Sequence, residues 1–221
     1  LVALSGGIAS GKSTIARRLV AHGAVHVDAD LLAREAVEPG SLGLKLIQEQ
    51  FGSEVIAGDG SLDRPALGRL VFDNPEALVV LNGIVHPEVR KLAKQRLDEA
   101  EVADPNAVII YDVPLLVEAG LQQQQQWDLV VIAEAPADVR IQRMVELRRM
   151  TAEEANQRIA NQATDEQRRA VADVIIDTSG TEDHTLEQAD ASGKDCETHA
   201  SRSPKSNSHA AKLAEPIELH L

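Results

Sequence analysis

Cysteine, aromatic side chains and positive charge are all scarce in this chain of 221 residues. The single cysteine, Cys196, excludes an intramolecular disulfide framework and fits a reducing compartment. Aromatic residues make up 2% of the chain against 43% hydrophobic residues overall, so any core must be aliphatic. A formal net charge of −13 leaves no global positive field, which argues against a general binder of nucleic acid or of anionic membranes. An anionic substrate would have to be held by locally concentrated cations. No apolar stretch approaches the length that spans a bilayer, and the first residues carry no signal-peptide pattern. A cytoplasmic protein is therefore the expectation. The length suits one domain with an appendage better than two full domains. No Asn-Lys-x-Asp run occurs, so the guanine-recognition signature of a GTPase is absent.

What is present is a phosphate-binding pattern. Gly6-Gly7-Ile8-Ala9-Ser10-Gly11-Lys12-Ser13 matches G-x-x-x-x-G-K-[ST] at every fixed position. The apolar run Leu1 to Leu4 precedes it as a strand, and Thr14 to Val20 follows as a helix that His22-Gly23 stops. In that context backbone N–H groups converge on phosphate oxygens, and the helix N-terminus adds partial positive charge. Gly6, Ala9, Ser10, Gly11, Lys12, Ser13 and Thr14 are the candidate nucleotide contacts. Lys12 is expected to reach the β- and γ-phosphates of ATP, and the Ser13 hydroxyl to hold Mg2+.

Ala24 to Val27 reads as a short strand that delivers Asp28-Ala29-Asp30 to the same edge as the loop, where open α/β sheets bind ligands. Asp30 is the candidate catalytic carboxylate; the alternative is an N-cap for a helix over 31–37. Residues 38–104 read as helices at Leu42 to Phe51, Pro65 to Phe72, Pro75 to Ile84 and Glu88 to Glu101, with a break at His86-Pro87. An insertion of that kind suits acceptor binding. Val108 to Asp112 is the clearest central strand, and its hydrophobic-run-then-Asp form makes Asp112 a second candidate for the magnesium shell. Pro114, Leu115 and Leu116 follow as a candidate substrate wall. The Gln122 to Gln126 run reads as a solvated loop or helix end.

Leu129 to Ala133 and Ala172 to Asp177 supply two more strands. Between them, Arg140, Arg143, Arg148, Arg149, Arg158, Arg168 and Arg169 occur with no lysine. Guanidinium forks bind phosphate bidentately, so a lid over about 140–165 is one reading, and a salt-bridged helix face is the other. From 181 to 221 the chain turns polar without periodicity and reads as disordered.

Taken together, Ser5 to Ser13, Asp28-Ala29-Asp30, Glu38-Pro39-Gly40, His86-Pro87, Asp112 to Glu118 and Ala172 to Gly180 resemble the dephospho-coenzyme A kinase family, across roughly residues 1–180. The resemblance implies an α/β three-layer P-loop kinase fold with a five-stranded parallel sheet, a helical acceptor-binding insertion and a helical lid. It implies ATP- and Mg2+-dependent phosphorylation of the ribose 3′-hydroxyl of dephospho-CoA, the last step of coenzyme A synthesis. Asp30 becomes the base or hydroxyl-orienting carboxylate. His86, Pro114, Leu115, Leu116 and Glu118 fall near the acceptor, Arg143 and Arg148 in the lid, and Gly180 near adenine. Neither nucleic acid nor membrane is an implied partner, and the oligomeric state stays open, a monomer being compatible. Three positions depart from the family pattern: Ala9 where glycine is usual, Leu147 where arginine is common, and Thr178 where Asn is usual. A closing helix after Gly180 is not recognisable. Another small-molecule kinase of the same fold, or a nucleotide-dependent switch without an acceptor, would share residues 1–30.

Overall fold

The computed structural model describes residues 1–121 and 127–202, the last nine of them as backbone only. The Gln122 to Gln126 run and residues 203–221 lie outside the described residues. Five strands form one sheet: β1 (Val2–Gly6), β2 (Val25–Asp28), β3 (Ile109–Asp112), β4 (Leu129–Glu134) and β5 (Val174–Asp177). Their order is β2-β3-β1-β4-β5, and every pairing is parallel. β1 and β3 are buried along their whole length, as central parallel strands covered on both faces must be. The edge strands β2 and β5 alternate in exposure.

Strand alternation splits the core in two. Ala3, Val27, Ile109, Tyr111, Val130 and Ile132 face a cluster built with α2 (Ala29–Glu35), α3 (Leu42–Phe51), α4 (Arg64–Val71) and α5 (Pro75–Ala103). Val2, Leu4, Ile110, Val131 and Ala133 face the other layer, with Ile15, Ala16 and Leu19 of α1 (Lys12–Ala21). The core is aliphatic as composition requires; Tyr111 and Trp127 meet in one tilted ring contact at 5.9 Å. Among the described residues no helix is long and apolar enough to cross a membrane.

Three local expectations need correcting. The first concerns Pro87: α5 runs unbroken through it for 29 residues. A mid-helix proline costs about 3 kcal/mol through the lost bond and the clash with the carbonyl four residues back. Leu81, Val85, Val89, Ala93 and Leu97 are all buried on the same helix, and each of the four larger side chains contributes roughly 1.5–3 kcal/mol. Burial on both sides of the proline outweighs it.

The second is the cap of α2. Asp28, rather than Asp30, is the N-cap: its Oδ1 accepts the Asp30 N–H at 2.8 Å and the Leu31 N–H at 3.1 Å. The helix accordingly starts at Ala29, two residues earlier than the sequence reading puts it.

The third is the tail. Residues 182–202 form a helix, numbered α9 after α6 (Ala137–Arg148), α7 (Ala152–Ala160) and α8 (Asp165–Arg169). It packs on α1, with Thr185, Ala189 and Ser192 buried and Gly193 against Leu19. Those residues do lie at helical spacing, but small and polar side chains mask the stripe. The Ser192 and Thr185 hydroxyls donate to the carbonyls four residues back, those of Gln188 and Thr181. A bidentate pair then pins the helix: Arg18 Nε and Nη2 donate to Asp190 at 2.6 and 2.7 Å. That contact, with His22 beside it, holds the Asp190 carboxyl far below the usual carboxylate range.

Candidate active site

Register builds the chemical edge. β3 pairs with β2 so that Asp112 sits opposite Asp28, and with β1 so that Asp112 sits opposite Leu4. The C-terminal ends of β1, β2 and β3 therefore bring the phosphate loop and two carboxylates to one level. They open onto a cleft of about 810 Å³ lined by Gly6 to Thr14, Arg17, Asp28, Asp30, Asp112, Pro114, Leu115, Arg143, Arg148, Gln162 and Gly180, among others.

The loop is held tightly. Ser10 N–H donates to the Gly7 carbonyl and Thr14 N–H to the Gly11 carbonyl, both at 3.0 Å. Gly11 adopts φ 82 as the N-cap of α1, and a Cβ there would meet Thr178 at 3.2 Å. Glycine is needed for both reasons. Ala9 also sits in the left-handed region, at φ 59. A residue with a Cβ is strained there by about 1–2 kcal/mol, so the departure from glycine does carry a conformational cost. Its carbonyl is tied down by Arg143 Nη1 at 3.2 Å. The same guanidinium grips the Thr178 hydroxyl and carbonyl. Thr178 itself is buried and donates to the Ser10 carbonyl at 2.6 Å. The Thr178 departure thus serves as a strut between the end of β5 and the loop. The Leu147 side chain is exposed at the cleft.

Charge is concentrated where the composition says it must be. Lys12 pairs with Asp112, which is buried, and His26 Nε2 lies 3.5 Å from the same carboxylate. His26, Asp28 and Asp112 have ligand atoms within 4.8 Å of one another. Asp30 is released from capping and stands exposed in the cleft. Desolvation pushes its pKa above the ordinary aspartate value; Asp28 and Asp112 add repulsion, while Lys12 and Arg34 oppose it. A carboxyl tuned upward in a cleft beside a phosphate loop has the character of a general base.

The candidate residues divide. Gly6, Ala9, Ser10, Gly11, Lys12, Ser13, Thr14, Asp30, Asp112, Pro114, Leu115, Arg143, Arg148 and Gly180 all come together in the cleft. His86, Leu116 and Glu118 do not line it. His86 is buried within α5 and Leu116 within the apolar core. Glu118 is engaged elsewhere, where its Oε1 accepts the Ala163 N–H at 2.8 Å and lies 3.9 Å from Arg168. Their side chains are engaged by packing or by a backbone bond.

The arginine run also sorts itself. Arg140 and Arg168 are buried and share Asp165 at 3.2 and 2.6 Å, with Arg140 lying directly against Gly7. Desolvation lowers the Arg140 pKa. Arg169 pairs with Glu134 at 2.5 Å. Arg143 and Arg148 reach the cleft, whereas Arg149 and Arg158 are exposed elsewhere. One contributor escapes sequence reasoning: Gln162 Oε1 accepts the Ile8 N–H at 2.8 Å across 154 residues. The capping pattern Thr164-x-x-Gln167 is the one local sign that a turn precedes it.

Comparison with known proteins agrees with this geometry. A family model described as dephospho-CoA kinase matches residues 1–184. A dephospho-CoA kinase of Leifsonia xyli subsp. xyli is 52% identical over 191 residues, covering 86% of this chain and 96% of the relative. One from Thermobifida fusca is 47% identical over 182 residues, covering 82% and 88%. Among solved structures, a Thermus thermophilus protein superposes with a TM-score of 0.73 at 32% identity, covering 86% of this chain and 94% of that one. A Campylobacter jejuni dephospho-CoA kinase shares the fold, with a TM-score of 0.66 at 22% identity over 89% and 96%. A phosphate loop, a freed carboxylate and a family match over most of the chain converge: this chain belongs to the dephospho-CoA kinase family.

Proposed function

We propose that the cleft between the phosphate loop and Asp30 is where this chain carries out its family's reaction, with Asp30 as the acceptor-side base. As a member of the family the chain is an ATP-using phosphotransferase with an alcohol acceptor. It transfers the γ-phosphoryl group to the ribose 3′-hydroxyl of dephospho-CoA, giving coenzyme A and ADP. In this reading Asp30 accepts the proton or the hydrogen bond of the attacking hydroxyl, and its raised pKa suits that role. Lys12 exchanges Asp112 for the β- and γ-phosphate oxygens when nucleotide enters. Arg143 and Arg148 face the same space as lid cations, while Pro114 and Leu115 form part of the acceptor wall.

Ser13 and Asp112 offer hard oxygen donors in the cleft, a set that fits Mg2+. A magnesium ion held there would neutralise charge on the phosphate oxygens. The helical insertion 38–104 and the segment 140–165 are assigned to acceptor binding and lid closure on the same basis.

The single observation that carries the reading is that Asp28 takes over the cap, which leaves the Asp30 carboxylate unoccupied by α2 in the loop's own cleft. A coupled assay of ADP release against a panel of acceptors tests it. Dephospho-CoA should stimulate release far above nucleoside monophosphates or shikimate. Equal stimulation by any of the others would overturn the acceptor assignment.

A further inference from the structure

Gln162 sits in the turn between α7 and α8 and lines the cleft beside the phosphate loop. Its carboxamide has a fixed orientation. The Ile8 N–H can only donate, so the atom it meets at 2.8 Å must be the amide oxygen. The Nε2 amine is thereby forced to the other end of the amide, where it has no hydrogen-bond partner among the described residues. A glutamine whose oxygen is locked to the loop is left with two unengaged N–H donors on a side chain that lines the cleft.

The turn that carries it is clamped from both sides. Both polar backbone groups of Ala163, the next residue, are held: Glu118 Oε1 accepts its N–H at 2.8 Å, and Arg168 Nη1 donates to its carbonyl at 2.5 Å. Glu118 and Arg168 are both largely buried and stand 3.9 Å apart. Asp165 then links Arg168 to Arg140, which packs against Gly7 of the loop. Burying two guanidiniums costs desolvation, which the shared Asp165 carboxylate and the bond to the Ala163 carbonyl offset. Together these contacts fix one turn against one loop, with Gln162 between them.

We propose that Gln162 is a catalytic donor: its Nε2 hydrogen-bonds the oxygens of the phosphoryl group in transfer, while Glu118 and Arg168 act as positioning residues for its turn. A neutral donor preset at that point stabilises charge on the moving group without competing with Lys12 for Asp112. The proposal rests on the phosphoryl-transfer reading above.

Two variants of the full chain separate the donor from the loop tie. Gln162→Glu keeps an oxygen for the Ile8 N–H but loses both donors and adds charge. Gln162→Met loses donors and oxygen without adding charge. Each is measured for kcat and KM with ATP and dephospho-CoA, for the Kd of a non-hydrolysable ATP analogue, and for Tm. Both should lose roughly 10²–10³-fold in kcat, the usual effect of removing one preorganised donor. For Gln162→Met the analogue Kd should stay within about threefold, because a donor acting on the moving group contributes little to ground-state binding. Near-normal kcat in Gln162→Glu reduces Gln162 to a loop tie and overturns the proposal. So does a loss confined to Gln162→Glu, which would be charge repulsion alone. Wild-type ADP release that ignores dephospho-CoA would instead sink the functional reading, and this proposal with it.

Discussion

The two walls of the cleft are built by different means. The strand-edge wall, from Gly6 to Ser13 with Asp28, Asp112 and, in the first turn of α2, Asp30, is placed by backbone: parallel register sets the strand ends at one level, buried β1 and β3 hold them there, and α2 starts directly from the end of β2. The opposite wall, Arg143 and Gln162 with Thr178 beneath and Arg148 beside them, is placed largely by side chains of the first three that reach back to main-chain atoms of the loop. The first wall is rigid because its strands cannot slide without breaking the sheet. The second is as firm as a handful of hydrogen bonds, which suits the lid proposed for that side of the cleft. The proposed base and the phosphate loop belong to the first wall; the second supplies adjustment and, through Gln162, the one donor proposed to act on the moving group.

Substitutions can break that contrast. Lys12→Ala, on the strand-edge wall, should lower phosphoryl transfer by at least about 10³-fold in a coupled ADP assay. Retained transfer would remove the phosphate loop from the mechanism. On the opposite wall, Arg143→Ala should raise the KM for ATP about tenfold, the size of one charge-assisted hydrogen bond, and change kcat less. A larger loss in kcat than in KM would move Arg143 into the chemistry and blur the division.

Acidity provides a third probe. Asp30 must be ionised to accept a proton, and its pKa is raised, chiefly by desolvation and then by Asp28. The acid limb of the kcat/KM profile should therefore lie above the ordinary aspartate value of 3.8. Activity falls as pH drops through that raised pKa, and an acid limb at or below the ordinary value would contradict the assignment. The smallest effect is expected at Ala9. Ala9→Gly relieves the φ 59 strain and should stabilise the protein by about 1 kcal/mol in denaturant unfolding, with little change in kcat.

Legibility in the sequence follows the same division. The loop and α3, found over Leu42 to Phe51 as the sequence indicates, announce themselves through local pattern. The five-stranded parallel sheet implied by the family resemblance is the sheet observed. α9 stayed hidden because its buried stripe is written in Thr185, Ala189 and Ser192, where hydropathy has little contrast. The break expected at Pro87 ignores the burial on either side of it, which no local rule weighs. That Asp28 caps α2 and leaves Asp30 to the cleft is decided only by where α2 starts, because two neighbouring carboxylates are equally good caps on paper. Glu118 and Gln162 have the least local signal of all. Their partners are backbone N–H groups 45 and 154 residues away, and such bonds leave no spacing to read.

The most direct test of the strand-edge wall as the seat of the proposed base is Asp30→Asn, with turnover and nucleotide affinity measured on the same preparation. If Asp30 is the base, kcat should fall by about 10²–10⁴-fold, the range for losing a general base, with the Kd for ATP nearly unchanged. Near-normal turnover, or a loss carried by ATP affinity instead, would contradict it.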